Sequence, residues 1–92
     1  MALKIIENKG SFFIEGKITC YNVQAMKLHL EYILRKRNQI TINISDVTEM
    51  NSDGLLAMTK MYKYAVLTKK LFTVIGKGSE EMHAHFKNQN NV

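Results

Sequence analysis

The hydrophobic positions of this chain recur at intervals that change along its length, and each interval predicts a different element. Leu3 to Glu7 and Phe12-Phe13-Ile14-Glu15 are short apolar-rich runs separated by Asn8-Lys9-Gly10, a loop whose Gly can take a positive φ, and together they predict a β-hairpin. Val23, Met26, Leu30, Ile33 and Leu34 follow at spacings of three and four residues, one face of an amphipathic helix that Asn22 is placed to cap and that ends near Arg37. Ile40, Ile42 and Ile44 then alternate with Thr41, Asn43 and Ser45, the period of a strand covered on one face and less enclosed on the other. Helical spacing returns in Leu55, Met58, Tyr62, Ala65 and Val66, predicting a second helix from Ser52 or Asp53 to about Thr68. Leu71 to Ile75 is a short, partly β-branched run closed by Gly76-Lys77-Gly78, and Ser79-Glu80-Glu81 reads as the cap and acidic first turn of a last short helix. Residues Asn88 to Val92 are polar and carry no period, so the pattern predicts one domain over 1–87 and a loosely held tail over 88–92.

The element order β-β-α-β-α-β-α defines an α/β fold: a small mixed sheet of about four strands with helices packed mainly on one face. Strand, crossover helix, strand connections imply parallel pairing where the crossover returns to the same sheet. Both crossover helices then start at the C-terminal edge of the sheet. Ser52 is expected at that edge, where ligands usually meet the loops of such sheets, and the C-termini of the helices at the opposite one.

A chain of 92 residues encloses one hydrophobic core, and its apolar content is sufficient to offset the ordering entropy. No apolar run approaches the roughly 20 residues of a membrane-spanning helix, and Met1 to Lys9 lacks the pattern of a signal peptide, so a cytoplasmic location is expected. A single cysteine, Cys20, excludes an internal disulfide and any thiolate cluster; with no activating neighbour it reads as a core residue. The net charge of +5 raises the question of an anionic partner, such as nucleic acid. Its placement answers differently: Arg35, Lys36 and Arg37 close the first helical pattern and Lys69 and Lys70 the second, where cations complement the macrodipole.

The stretch Ile44-Ser45-Asp46-Val47-Thr48-Glu49-Met50-Asn51-Ser52-Asp53-Gly54-Leu55-Leu56 joins a strand to a helix through a loop of small and acidic residues. It resembles the signature of STAS domains of the bacterial anti-sigma-factor antagonist type, in which an isoleucine-rich strand leads into Asp-Ser-Ser-Gly-Leu. The resemblance covers nearly the whole chain, with Gly16-Lys17-Ile18-Thr19 where the family has Gly-Glu-Leu-Asp and Leu71 to Gly76 matching its last strand and Gly. It implies a STAS-like fold and a protein-binding module without catalytic machinery or cofactor. Its switch would be phosphorylation of Ser52 by an anti-sigma factor that is also a serine kinase, reset by a phosphatase. Met50, Asn51, Ser52, Asp53, Gly54 and Leu56, with Thr19, are the partner-binding residues so implied. The chain departs from the signature at Asn51, where the family has Asp, and at Asp53, where it has a second Ser. The resemblance also admits a scaffold subunit docking on an ABC-transporter ATPase with no phosphate turnover.

Physical chemistry supports a switch at Ser52 independently. A hydroxyl at a helix start is exposed, a phosphate there meets unpaired N–H groups, and about −1.5 to −2 charges would repel an interface built on a neutral side chain. Met50 in the loop and Leu56 are candidate contact residues, rimmed by Lys60, Lys63 and Tyr64. His83 and His85, one position apart on a helix, point roughly 200° from each other and do not share a metal ion. Gly76-Lys77-Gly78-Ser79 lacks the spacing of a phosphate-binding P-loop, and no nucleophile elbow surrounds Ser52.

Overall fold

In the computed structural model, which describes residues 3–90, the chain folds as β1 (Lys4–Asn8), β2 (Ser11–Ile18), α1 (Val23–Lys36), β3 (Gln39–Met50), α2 (Ser52–Leu67), β4 (Leu71–Ile75) and α3 (Ser79–Asn90). This is the α/β order that the hydrophobic pattern predicts. The four-stranded sheet runs β1-β2-β3-β4, with β1 antiparallel to β2 and the other pairs parallel. Two successive crossovers advancing in one direction place α1 and α2 on the same face, since each has the same preferred hand. The hairpin turns at Lys9 and Gly10, both at positive φ, while Asn8 pairs with Ser11. That is the local twist a two-residue connection requires.

Alternate strand residues fill the core. Phe12, Ile14 and Ile18 of β2, Ile40, Ile42 and Ile44 of β3, and Phe72 and Val74 of β4 are buried against Met26, Leu30 and Leu34 of α1 and Met58, Met61 and Ala65 of α2. Met82 and Phe86 bring α3 onto the same core. The Phe86 ring stacks on Tyr62 at 4.8 Å and meets Phe72 at 6.0 Å, tying α3 to both α2 and β4.

Several expectations are corrected. Ser45 to Met50 is not a loop: β3 continues through it, pairing Asp46 with Glu15, Val47 with Gly16, Glu49 with Lys17 and Met50 with Ile18. Irregularities after Phe13 and Gly16 shift the register and break the alternation, and ladder hydrogen bonds need no apolar side chains. Asn22 makes no cap to α1. Its Oδ1 accepts the Thr19 N–H at 2.9 Å and its Nδ2 donates to the Lys17 carbonyl at 2.9 Å, so it closes the β2–α1 turn instead. Cys20, in that turn, is exposed rather than in the core. On α2, Val66 is exposed while Met61 is fully buried, because the stripe facing the sheet runs through Gly54, Ala57, Met58, Met61 and Ala65. At α3, Ser79 is already helical and Gly78 supplies the first carbonyl, to Met82, with Glu80 and Glu81 in the first turn. The helix runs on to Asn90, past the point where the hydrophobic period stops. Of the expected tail, Asn91 and Val92 lie outside the described residues.

Candidate functional site

Residues Asn51 to Gly54 start α2 at the C-terminal edge of the sheet, one residue beyond the end of β3. Asn51 is extended and caps the helix: its Oδ1 accepts the Gly54 N–H at 2.9 Å, and its carbonyl accepts the Leu55 N–H. Ser52, the first helical residue, is exposed, as is Asp53. Asp53 is the acidic residue of the first turn, where the positive end of the helix dipole favours it.

Gly54 is buried because α2 passes close over the strand ends. A Cβ at this position would lie 2.7 Å from Met50 Cγ and 2.8 Å from Ile18 Cγ2. The absence of a side chain therefore sets how near the helix start approaches β2 and β3. Met50, expected as a loop residue, is the last residue of β3 and half-buried against the core, because it fills the space over Gly54. Leu56 remains 52% exposed. Thr19 is half-buried and lines a shallow recess with Ile18, Glu49, Met50 and Asn51. The proposed contact residues thus share one end of the molecule.

Two clefts flank the outward side of α2. A smaller one, between α1 and α2, is lined by Val23, Gln24, Lys27, Asp53, Leu56, Ala57 and Lys60. A larger groove of about 420 Å³ runs between α2 and α3 and is lined by Ser52, Asp53, Leu55, Leu56, Thr59, Lys60, Lys63 and His85. Hydrophobic spacing gives no hint of His85 in this group, because its position depends on how α3 packs across α2. His83 turns the other way, its Nε2 2.9 Å from the Val74 carbonyl oxygen. Among the described residues, no group of three His, Cys, Asp or Glu side chains is arranged to hold a metal ion.

The basic residues at the ends of α1 and α2 gather at the far end of the sheet. Lys70 Nζ donates to the carbonyls of Leu34 at 2.6 Å and Arg35 at 2.9 Å, closing the C-terminus of α1. Lys36 lies over the Tyr32 ring at 5.2 Å. Arg37 donates to Glu7 at 2.8 Å and lies over the Phe12 ring at 5.4 Å. The hydrogen bond from Arg37 holds the Glu7 carboxyl below the usual glutamate range, and the same bond raises the Arg37 guanidinium.

The layered fold and this capped, solvent-facing helix start define a small α/β domain with its site at the C-terminal edge of the sheet. The family model of the STAS domain matches residues 1–89, and the chain belongs to the STAS family. No curated protein sequence matches it significantly. Family membership points to a protein-interaction or regulatory module. Among the described residues, no helix is long and apolar enough to cross a membrane.

Proposed function

We propose that this STAS domain acts as an anti-sigma-factor antagonist, binding an anti-sigma factor that is also a serine kinase through the start of α2. Phosphorylation of Ser52 releases the partner, and a phosphatase restores binding. The observation that carries this reading is the exposed Ser52 hydroxyl as the first residue of α2, in a chain that belongs to the STAS family. Asn51 uses its side chain on Gly54, and the Ser52 and Asp53 N–H groups, first-turn donors that a helix leaves without intrahelical partners, are available to an added phosphate in this reading. Such a phosphate adds about −1.5 to −2 charges next to exposed Leu56, where an apolar contact with a partner would form. Met50, Asn51, Asp53 and Thr19 complete the binding surface in this reading, while Gly54, buried against Met50 and Ile18, offers no surface and sets the approach of the helix start.

The test is isolation of the protein from its native host under growth and stress conditions, with mass spectrometry of the Ser52 peptide and a comparison of partner binding by Ser52→Glu. Phosphate on Ser52 and weakened binding by Ser52→Glu support the switch. Unmodified Ser52 throughout, with Ser52→Glu binding normally, removes it.

A second reading follows from Asn51 and Asp53, which stand where the signature has Asp and Ser. In it the same surface docks constitutively, as a scaffold subunit on a partner such as an ABC-transporter ATPase. Asp53 then supplies fixed charge beside Ser52, and pull-down of the partner separates the two readings.

A further inference from the structure

The groove between α2 and α3 carries more chemistry than a phosphoacceptor requires. Along α2 its lining runs from Ser52 and Asp53 through Leu55, Leu56 and the buried Thr59 to Lys60 and Lys63, with His85 contributed by α3, and Asp53, Leu56 and Lys60 form the ridge shared with the cleft toward α1. Ion pairs among the described residues engage Lys17, Lys27 and Arg37, whereas Lys60 and Lys63 take part in none of them and are exposed. At the far end of the sheet Lys70, Lys36 and Arg37 are occupied with helix carbonyls, an aromatic ring and Glu7, whereas Arg35 and Lys69 stand at helix C-termini, where the dipole already favours a cation. Lys60 and Lys63 are set apart by lining a groove next to apolar surface, where their charge can meet an external group. Asp53 makes the opposite end of the same groove negative.

We propose that this groove binds a partner segment of defined polarity: an aliphatic side chain over Leu55 and Leu56, carboxylates toward Lys60, Lys63 and His85, and no acidic residue at the Ser52 and Asp53 end. Charge complementarity fixes this orientation, because like charges placed across an interface are strongly unfavourable. The apolar part of the lining is Leu55 and Leu56 beside the buried Thr59, with no Phe, Tyr or Trp, which suits an aliphatic side chain better than a run of stacked bases. The inference rests on the partner-binding reading of α2 but not on phosphorylation. It gives a charge at Ser52 a further consequence: a negative group there extends the negative end of the groove and disfavours an acidic segment.

The experiment is a titration of the ¹⁵N-labelled 92-residue chain with a capped peptide, Gly-Ser-Ala-Leu-Ala-Glu-Glu, acidic at one end only, followed by amide chemical shifts. A twin with Lys in place of Glu, and an oligothymidine of similar length, serve as controls. Shift changes should cluster at Leu55, Leu56, Lys60, Lys63 and His85 for the acidic peptide and not for its basic twin. Lys60→Glu with Lys63→Glu should bind about tenfold more weakly, as expected from reversing two exposed charges. Asp53→Asn should bind about twofold more tightly and Ser52→Glu more weakly. The dispersed spectrum of each variant verifies its fold. No shift change up to millimolar peptide, equal binding by the basic twin, changes centred on Arg35, Lys36 and Lys69, or preferential oligothymidine binding in the groove would each overturn the proposal. The two readings fail separately: Ser52 can be unmodified while the groove binds, and phosphorylated while it does not.

Discussion

Asn51 and Gly54 are joined by a 2.9 Å hydrogen bond from the Gly54 N–H to Asn51 Oδ1, which fixes the first turn of α2 and the direction in which Ser52 leaves it. Replacing Asn51 with Ala should cost about 1 kcal/mol of stability, typical of a lost helix cap. Asn51→Asp should keep the cap and gain a few tenths to about 1 kcal/mol from the helix dipole. Urea denaturation of the variants measures both. A cost for Asn51→Asp equal to that of Ala would show that the cap does not depend on the side-chain oxygen.

Gly54 is constrained from the opposite side. Helix propensity alone favours Ala over Gly by about 1 kcal/mol, but the added methyl meets Met50 and the stiff, buried Ile18. Overpacking of this kind costs about 1 to 3 kcal/mol, so Gly54→Ala should be destabilising by about 1 kcal/mol net. Restoring space with Met50→Ala in the same chain should recover part of that loss. A stabilised Gly54→Ala, measured by thermal unfolding, would show that α2 has room to move away from the sheet.

These two contacts also separate what the sequence reveals from what it conceals. Ile40, Ile42 and Ile44 expose the strand because one neighbouring face is buried, and the spacing of Met26, Leu30 and Leu34 exposes α1 for the same reason. Asn22 and Asn51 are equivalent as local signals, each standing immediately before a helix. Only Asn51 caps, because the β2 end offers Asn22 the Lys17 carbonyl and the Thr19 N–H in competition. Ser45 to Met50 looks like a loop because pairing with β2 uses backbone groups and leaves the side chains free to be polar. The position of Ser52 was legible from element order. The grouping of His85 with Lys60 and Lys63 was not, since it depends on Phe86 anchoring α3.

That anchor yields a prediction of its own. Phe86 is fully buried and contacts rings from α2 and β4, so Phe86→Ala should cost about 3 to 5 kcal/mol. Loosening of α3 should precede global unfolding, because α3 joins the core mainly through Met82 and Phe86. Hydrogen exchange should then show protection lost first across residues 79–90, with β3 retained. Uniform loss over the whole chain would mean that α3 is an inseparable part of the folding unit.

The Glu7–Arg37 pair at the other end of the sheet ties β1 to the C-terminus of α1, and its pH dependence has a defined sign. The folded Glu7 carboxyl lies below its usual range because Arg37 donates to it, so the folded state binds this proton less readily than the unfolded chain. Its contribution to stability is therefore present above the unfolded glutamate value and lost as the pH falls through the folded value. The Arg37 shift is upward and has no effect at ordinary pH, because the guanidinium is charged in both states. Since both groups are exposed, salt screens the interaction. Glu7→Gln should melt slightly below the parent protein at neutral pH in low salt. That difference should shrink as the pH is lowered through the folded Glu7 value, and also in concentrated salt at neutral pH. A difference in melting temperature that persisted under both conditions would assign the role of Glu7 to packing along β1 rather than to its charge.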